Sequence, residues 1–493
     1  MSKEKIVIGD AGITDARQLG IPKMLVLGFQ HLFAMFGATV LVPLLTGLDV
    51  ATTLLMAGLG TLLFHLVTKG KVPAFLGSSF AFLGGYAAIT GLAGTKGYEN
   101  MTAGQLLPYA CLGVACAGLV YLVLAALIKL VGVNRVMKFF PPVVTGPIII
   151  AIGLGLAGSA VNNCNSNWLI AVIALAIIIV FNIWGKGMAK IIPILIGVLG
   201  SCAIAAILAV IWGQTITLDG GAQVIALGGN AKLQLFDVAA LNEFINAKWI
   251  GLPVYWEKTV FGGIDWANGS LIISSIVAIT PIALATMMEH IGDISAIGST
   301  TGNNFIANPG LHRTLIGDGL ATTIASLFGG PANTTYGENT GVLALSKVYD
   351  PKVIRIAAYI AVVLSFCPKF AALIHLIPTA VIGGISFVLY GMISAIGVRN
   401  VVENKVDFTK SRNLITAAII LVSALGLTAG VTFSIGSVTI TLSALAVASI
   451  LGIVLNAILP GKDYEFGADD AGDKAVNFAV GPSTGEGPAT STK

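Results

Sequence analysis

The sequence predicts an all-α polytopic membrane protein of about fourteen spans, built as two inverted repeats of seven. Three observations predict it. Only 10% of the 493 residues are charged while 56% are hydrophobic, too little charge to wet a soluble protein of this size. Apolar runs of roughly 20 residues, enough to cross about 30 Å of hydrocarbon, recur along most of the chain. Short motifs also repeat in the same order in the two halves.

The runs centre near Ala34, Leu62, Leu83, Leu119, Ile150, Leu175, Ile196, Ile276, Ile324, Leu343, Val362, Phe387, Ala418 and Ala446. Segments three and ten are short and broken. Each begins with a polar stretch, Gly77-Ser78-Ser79-Phe80 and Asn333-Thr334-Thr335-Tyr336. Gly is abundant, with 60 residues, which suits close helix packing and broken helices. The 5 cysteines show no paired metal spacing and read as small core residues. No cleavable signal peptide is visible in Met1 to Lys23, so the first span is expected to serve as the targeting signal.

Lys and Arg set the orientation. With the amino terminus in the cytoplasm, turns after even-numbered segments carry Lys69, Lys71, Arg135, Lys186, Lys190, Lys347, Lys352, Lys405 and Arg412, among others. The opposite side keeps Lys96, Lys232, Lys248, Lys258 and Lys369, mostly in one long loop that also holds Asp237. The basic residues form no patch with interleaved aromatics, so no nucleic-acid partner is expected. Gly461 onward is Gly-, Asp-, Ser- and Thr-rich and reads as a mobile cytoplasmic tail.

Three matches relate the halves. Gln30-His31 in segment one answers Glu289-His290 in segment eight. Ser78-Ser79-Phe80 answers Thr334-Thr335-Tyr336. Pro141 to Gly146 answers Pro378 to Gly383. Seven spans per half is odd, so the halves must run in opposite senses through the bilayer. Sites in such folds lie at the midplane, where broken helices meet.

Acids inside the spans carry the chemistry. Glu289 and Asp293 are spaced i, i+4 and share a helix face; Glu338 follows the tenth segment's break. A carboxylate at the bilayer centre costs about 2.5–3.5 kcal/mol on insertion scales, so it faces a cavity, pairs, or carries protons. Phe80 and Tyr336 lead the broken segments, whose half-helices point backbone N–H groups and a positive dipole end inward. Donors beside carboxylates suit a planar neutral ring with alternating C=O and N–H groups. His31 reads either as a satisfied buried histidine or as a proton relay. No catalytic triad, P-loop, dinucleotide fingerprint or HExxH motif occurs, and neither an enzyme nor a metal or organic cofactor is expected.

Five stretches carry a resemblance to the nucleobase–ascorbate transporter family and its bacterial uracil permeases: Gln30 to Pro43, Gly77 to Phe82, Glu289 to Gly292, Asn308 to Arg313, and Asn333 to Gly341. The tenth-segment signature reads Glu338-Asn339-Thr340-Gly341, then Ser346-Lys347, with Ser where the family has Thr. The resemblance implies a core domain (residues 24–133 and 268–375) and a gate and dimerisation domain (134–213 and 376–460). An amino-terminal cytoplasmic segment (1–23), an extracytoplasmic loop (214–267) and the tail (461–493) complete the chain. It also implies short antiparallel strands in segments three and ten, and a homodimer. Substrate binding falls to Glu289 and Glu338 with backbone at Phe80 and Gly337, beside Tyr336. Proton coupling falls to Asp293, Glu289, Glu338 or His31. Some uracil–proton symporters of the family have His where this chain has Asp293. The implied activity is uracil import with protons across a bacterial inner membrane, the proton being the coupling ion. A xanthine or purine permease is the alternative; an anion exchanger of similar fold is more distant, since it would lack the central acids.

Overall fold

The computed structural model describes residues 12–95, 98–427, 430–435 and 438–461. The first eleven residues, Lys96 and the tail beyond residue 461 lie outside the described residues, so those expectations stand untouched.

The apolar runs fold as helical segments in the expected order. Segment 1 is Ile21–Thr46 and segment 2 Val50–Val67. Segment 3 is a strand, Leu76–Ser78, followed by the helical stretch Phe80–Thr90. Segment 4 is Ala103–Val131, segment 5 Pro142–Cys164, segment 6 Trp168–Trp184 and segment 7 Pro193–Trp212. Segment 8, Gly269–Thr301, tightens into a 3-10 turn at Thr280–Ile282, where Pro281 removes a backbone donor. Segment 9 is Leu311–Leu327. Segment 10 repeats the pattern of segment 3, with strand Asn333–Thr335 and then helix Gly337–Ser346. Segments 11 to 14 are Pro351–Ser365, Thr379–Glu403, Ser411–Gly426 and Ala444–Ile458. After segment 11 the chain turns by 91° into the helix Pro368–His375.

Among the described residues, 7 helices are each long and apolar enough to cross a bilayer. Of the remaining segments, 3 and 10 are interrupted by strands and 11 ends at the bend, while 6, 9, 13 and 14 are single helices of 17, 17, 16 and 15 residues. The protein is a multi-pass membrane protein. Two small sheets were not anticipated. Between segments 7 and 8, strands Gly213–Thr217, Gln223–Leu227 and Gln234–Asp237 form an antiparallel sheet that leads into helix Val238–Asn246. Strands Val431–Ile435 and Val438–Leu442 form a hairpin between segments 13 and 14.

Packing repeats with a period of seven segments. Segment 4 packs on 9 as 11 packs on 2. Segment 1 meets 11 as 8 meets 4, 5 meets 13 as 12 meets 6, and 6 meets 7 as 13 meets 14. Pairs 2–9 and 5–12 join equivalent elements directly. Segments 5 and 12 both begin just after the matched prolines, Pro141 and Pro378 acting as N-caps. They touch backbone to backbone: a Cβ on Gly397 would lie 2.5 Å from Ile150 N, the small-residue contact that lets membrane helices close in without a hydrophobic driving force. Cys164 is buried at the end of segment 5 against Gly383, as a small core residue.

Candidate functional site

The two broken segments meet end to end. Leu76–Ser78 pairs antiparallel with Asn333–Thr335 in the register Leu76 to Thr335, Gly77 to Thr334 and Ser78 to Asn333. Two more bonds extend it, from Ser79 N to Ala332 O (2.9 Å) and from Tyr336 N to Phe75 O (3.0 Å). Non-helical backbone survives at membrane depth only when protein satisfies it, and here helices do so. Thr61 Oγ1 in segment 2 accepts from Leu76 N (2.9 Å) and donates to Leu76 O (3.2 Å). Thr322 Oγ1 in segment 9 donates to Asn333 O (2.8 Å). Asn333 Nδ2 donates to Met56 O (3.1 Å).

This pairing corrects one expectation. The two-fold relation implied by the register matches Leu76 with Asn333 and Ser79 with Tyr336, so Phe80 is the counterpart of Gly337. The chemical likeness of Ser-Ser-Phe to Thr-Thr-Tyr misaligns the repeat by one residue. Phe80 and Gly337 are the first residues of their half-helices, and neither N-cap, Ser79 or Tyr336, caps with its side chain. Leading N–H groups of a helix have no intrahelical partner, so both helices aim donors into the same central region.

Tyr336 does not lead a helix. It is buried and its side chain turns back over the strands: Tyr336 Oη donates to Ser78 O (2.9 Å) and accepts from Thr39 Oγ1 (3.3 Å), while Ser78 Oγ donates to Thr39 O (3.0 Å). Phe80 is buried and meets the ring of Tyr390 in segment 12 edge to face at 5.9 Å.

The acids gather beside the helix ends. Glu289, Asp293 and Glu338 are half-buried and Gly337 is exposed; a Cβ on Gly337 would lie 3.9 Å from Asp293 Oδ1. The three acids and Asp318 are close enough to interact through space. Glu289 Oε2 is buried and, among the described residues, accepts no hydrogen bond. Asp293 Oδ2 accepts from Thr335 Oγ1 at 2.9 Å. Glu338 sits in the first turn of its helix, where a negative charge is favoured by the dipole.

Behind them lies a wholly buried pair that the sequence reading did not single out. His290 Nδ1 stands 3.0 Å from Asp318 Oδ2 and 3.4 Å from Thr335 Oγ1. The run Asp318, His290, Thr335, Asp293 thus links segments 9, 8 and 10. The available signal was an ionisable residue inside a span. His31 is also buried. Asn339 Nδ2 donates to His31 O (3.0 Å) and stands 3.1 Å from His31 Nδ1. A carbonyl only accepts, which fixes the amide nitrogen as donor and makes Nδ1 an acceptor. In this state His31 is a neutral ring that anchors segment 10. Among the described residues no group of three or more His, Cys, Asp or Glu converges as a metal site requires.

Known proteins share both the chain and the fold. The uracil permease of Bacillus subtilis (strain 168) is 38% identical over 479 residues, covering 94% of this chain and 98% of that one. The uracil permease of Bacillus caldolyticus is 39% identical, covering 90% and 93%. That of Escherichia coli (strain K12) is 35% identical, covering 88% and 90%. Among solved structures, the transmembrane domain of a cyanobacterium bicarbonate transporter, BicA, superposes with a TM-score of 0.57 over 90% of this chain and 99% of that one, at 15% identity. The murine Solute Carrier 26 family member A9 anion transporter, in the inward-facing state, gives 0.58 over 89% and 68%, at 11% identity. These two likenesses establish the fold. Residues 22–433 match the Permease family; the chain belongs to it, the same nucleobase–ascorbate transporter family that its motifs in segments 1, 3, 8 and 10 resemble.

Proposed function

We propose that this protein imports uracil in symport with protons by alternating access. The observation that carries the proposal is the meeting of two uncapped half-helix ends with Glu289, whose Oε2 is buried without a partner among the described residues. A buried acceptor left unpaired costs about 1–3 kcal/mol, and more when charged; a ring N–H would satisfy it. Glu338 accepts from the other side, and backbone N–H groups at Phe80 and Gly337 donate to the ring carbonyls. Relatives named uracil permeases, matching along nearly the whole chain, support uracil as that ring.

Proton coupling follows from charge. Moving carboxylates against a low-dielectric barrier is costly, so a proton taken up on Asp293, Glu289 or Glu338 eases the passage of the loaded core. Segments 1 to 4 and 8 to 11 act as that core, and 5 to 7 and 12 to 14 as the gate. The pattern of packing supports the division, since the broadest helix contacts fall within each set. Phe80 against Tyr390 is a contact that would break as the core moves. We further infer a homodimer formed by gate helices, in a bacterial inner membrane with both termini cytoplasmic.

Uptake of labelled uracil into proteoliposomes tests the substrate. Excess unlabelled uracil should abolish it, and excess xanthine should compete poorly, because a bicyclic ring needs more room beside Phe80. Xanthine blocking as well as uracil would move the assignment to a purine permease.

A further inference from the structure

A groove of ≈ 440 Å³ opens on the outer face of the helical bundle, away from the acids. Leu127 and Val131 of segment 4, Phe139 beyond it, Leu284 of segment 8, and Ile450 and Val454 of segment 14 line it. Among the described residues, the one charged lining residue is Arg135, and no carboxylate lines the groove. Its size falls within the range of about 300–1,000 Å³ typical of ligand pockets. Several walls are exposed: Leu127 by 46%, Phe139 by 48% and Val454 by 43%. In a bilayer such surfaces face acyl chains.

The charge sits at one end. Gly132 closes segment 4 with φ +96°, and the short helix Val133–Met137 then carries Arg135 out of the span. Lys129 and Lys138 flank it, and all three basic side chains are exposed. Asn456 Nδ2 donates to Lys138 O (3.1 Å), which ties this connector to segment 14. An apolar channel capped by cations at headgroup depth is complementary to an amphiphile with an apolar tail and a phosphate head. Arg suits phosphate because its planar fork donates two parallel bonds.

We infer that this groove seats an anionic phospholipid, one acyl chain lying between segments 4, 8 and 14 and the phosphate on Arg135. The seat bridges segments 4 and 8 on one side and 14 on the other. That these belong to parts that move against each other rests on the function proposed above; the lipid seat itself does not.

The test is native mass spectrometry of the purified full-length protein equilibrated with equal amounts of dioleoyl phosphatidylglycerol and dioleoyl phosphatidylcholine. The wild type should retain phosphatidylglycerol preferentially. Arg135→Gln should weaken that preference about fivefold, and Arg135→Lys should restore most of it. Val454→Trp, which fills the groove, should lose the retained lipid while the thermal transition in detergent persists. Equal retention of the two lipids by the wild type, or an unchanged preference in Arg135→Gln, would overturn the proposal. So would a Val454→Trp variant that changes oligomeric state with lipid retention intact, because the face would then belong to a second copy. No nucleobase enters these measurements, so their failure leaves the transport reading standing, and a failed uracil uptake leaves the lipid seat standing.

Discussion

Glu289 and Asp293 stand one helical turn apart, with Cβ atoms about 5–6 Å from each other, yet their surroundings differ. Asp293 is held by Thr335 Oγ1 at 2.9 Å, whereas Glu289 keeps a buried oxygen without a partner among the described residues. A ligand therefore has more to gain at Glu289, and Asp293 is the better candidate for the shared proton. Asp293→Asn keeps a carbonyl that can accept from Thr335 and mimics the neutral carboxyl. It should bind uracil within a few-fold of wild type but lose acceleration by an inward proton gradient. Glu289→Gln loses a charge-assisted acceptor worth about 1.5–3 kcal/mol and should weaken binding roughly ten- to hundredfold. Equilibrium binding and gradient-driven uptake on the same purified variants separate the two roles. Full proton dependence in Asp293→Asn would make that residue structural. Both carboxylates were legible in the sequence because acids are rare within spans. Asp318 carries the same signal inside segment 9 and was passed over; its pairing with His290 was not legible, because the two lie on different helices and neither residue's spacing shows that they meet.

The half-helix pair is where sequence likeness and backbone geometry part. Polar breaks at Gly77 and Asn333 mark both strands, but side-chain resemblance aligns Phe80 with Tyr336, while backbone pairing aligns it with Gly337. Shifting a strand by one residue turns every side chain to the opposite face, so hydrogen bonds and not residue likeness decide which atoms reach the site. Gly77 is required by that packing. A Cβ there would lie 2.5 Å from the Tyr336 ring and 2.7 Å from Thr39 Oγ1, with the ring pinned by its bond to Ser78 O. Gly77→Ala should displace Tyr336, lower the thermal transition in detergent by several degrees and abolish uptake. Gly104→Ala, on an exposed first turn whose nearest neighbour is 4.0 Å away, should leave both unchanged. An active Gly77→Ala with wild-type stability would mean that the strand crossing does not shape the site. The two small sheets outside the half-helices were passed over for another reason: their strands are short and sit between long apolar runs that dominate any reading of hydropathy.

At the scale of the molecule, the seven-segment period in packing and the antiparallel strand crossing both require the halves to traverse the bilayer in opposite senses. An even number of spans then returns the chain to the face it started from, and every turn after an even-numbered segment shares that face. Those turns hold Lys69, Lys71, Arg135, Lys186, Lys190, Lys352, Lys405 and Arg412. The opposite turns hold few cations, and three of them, Lys232, Lys248 and Lys258, lie in the connection between segments 7 and 8 that contains the sheet. Positive charge is retained on the cytoplasmic side, so that sheet is expected outside. Asp237 is a poor reporter, since it caps the helix Val238–Asn246 by accepting from Ala239 N at 2.7 Å, and losing a cap costs about 1 kcal/mol. Asp219 is exposed beside the first hairpin turn of the sheet and makes a better one. In a background where the five native cysteines are replaced, Asp219→Cys should react with an impermeant maleimide in intact cells. Lys405→Cys, in the exposed turn between segments 12 and 13, should react only after the cells are opened. The reverse pattern would invert the whole protein and place the Arg135 cluster on the outer leaflet. Labelling of both positions in intact cells would break the single alternation of spans on which the inverted repeat depends.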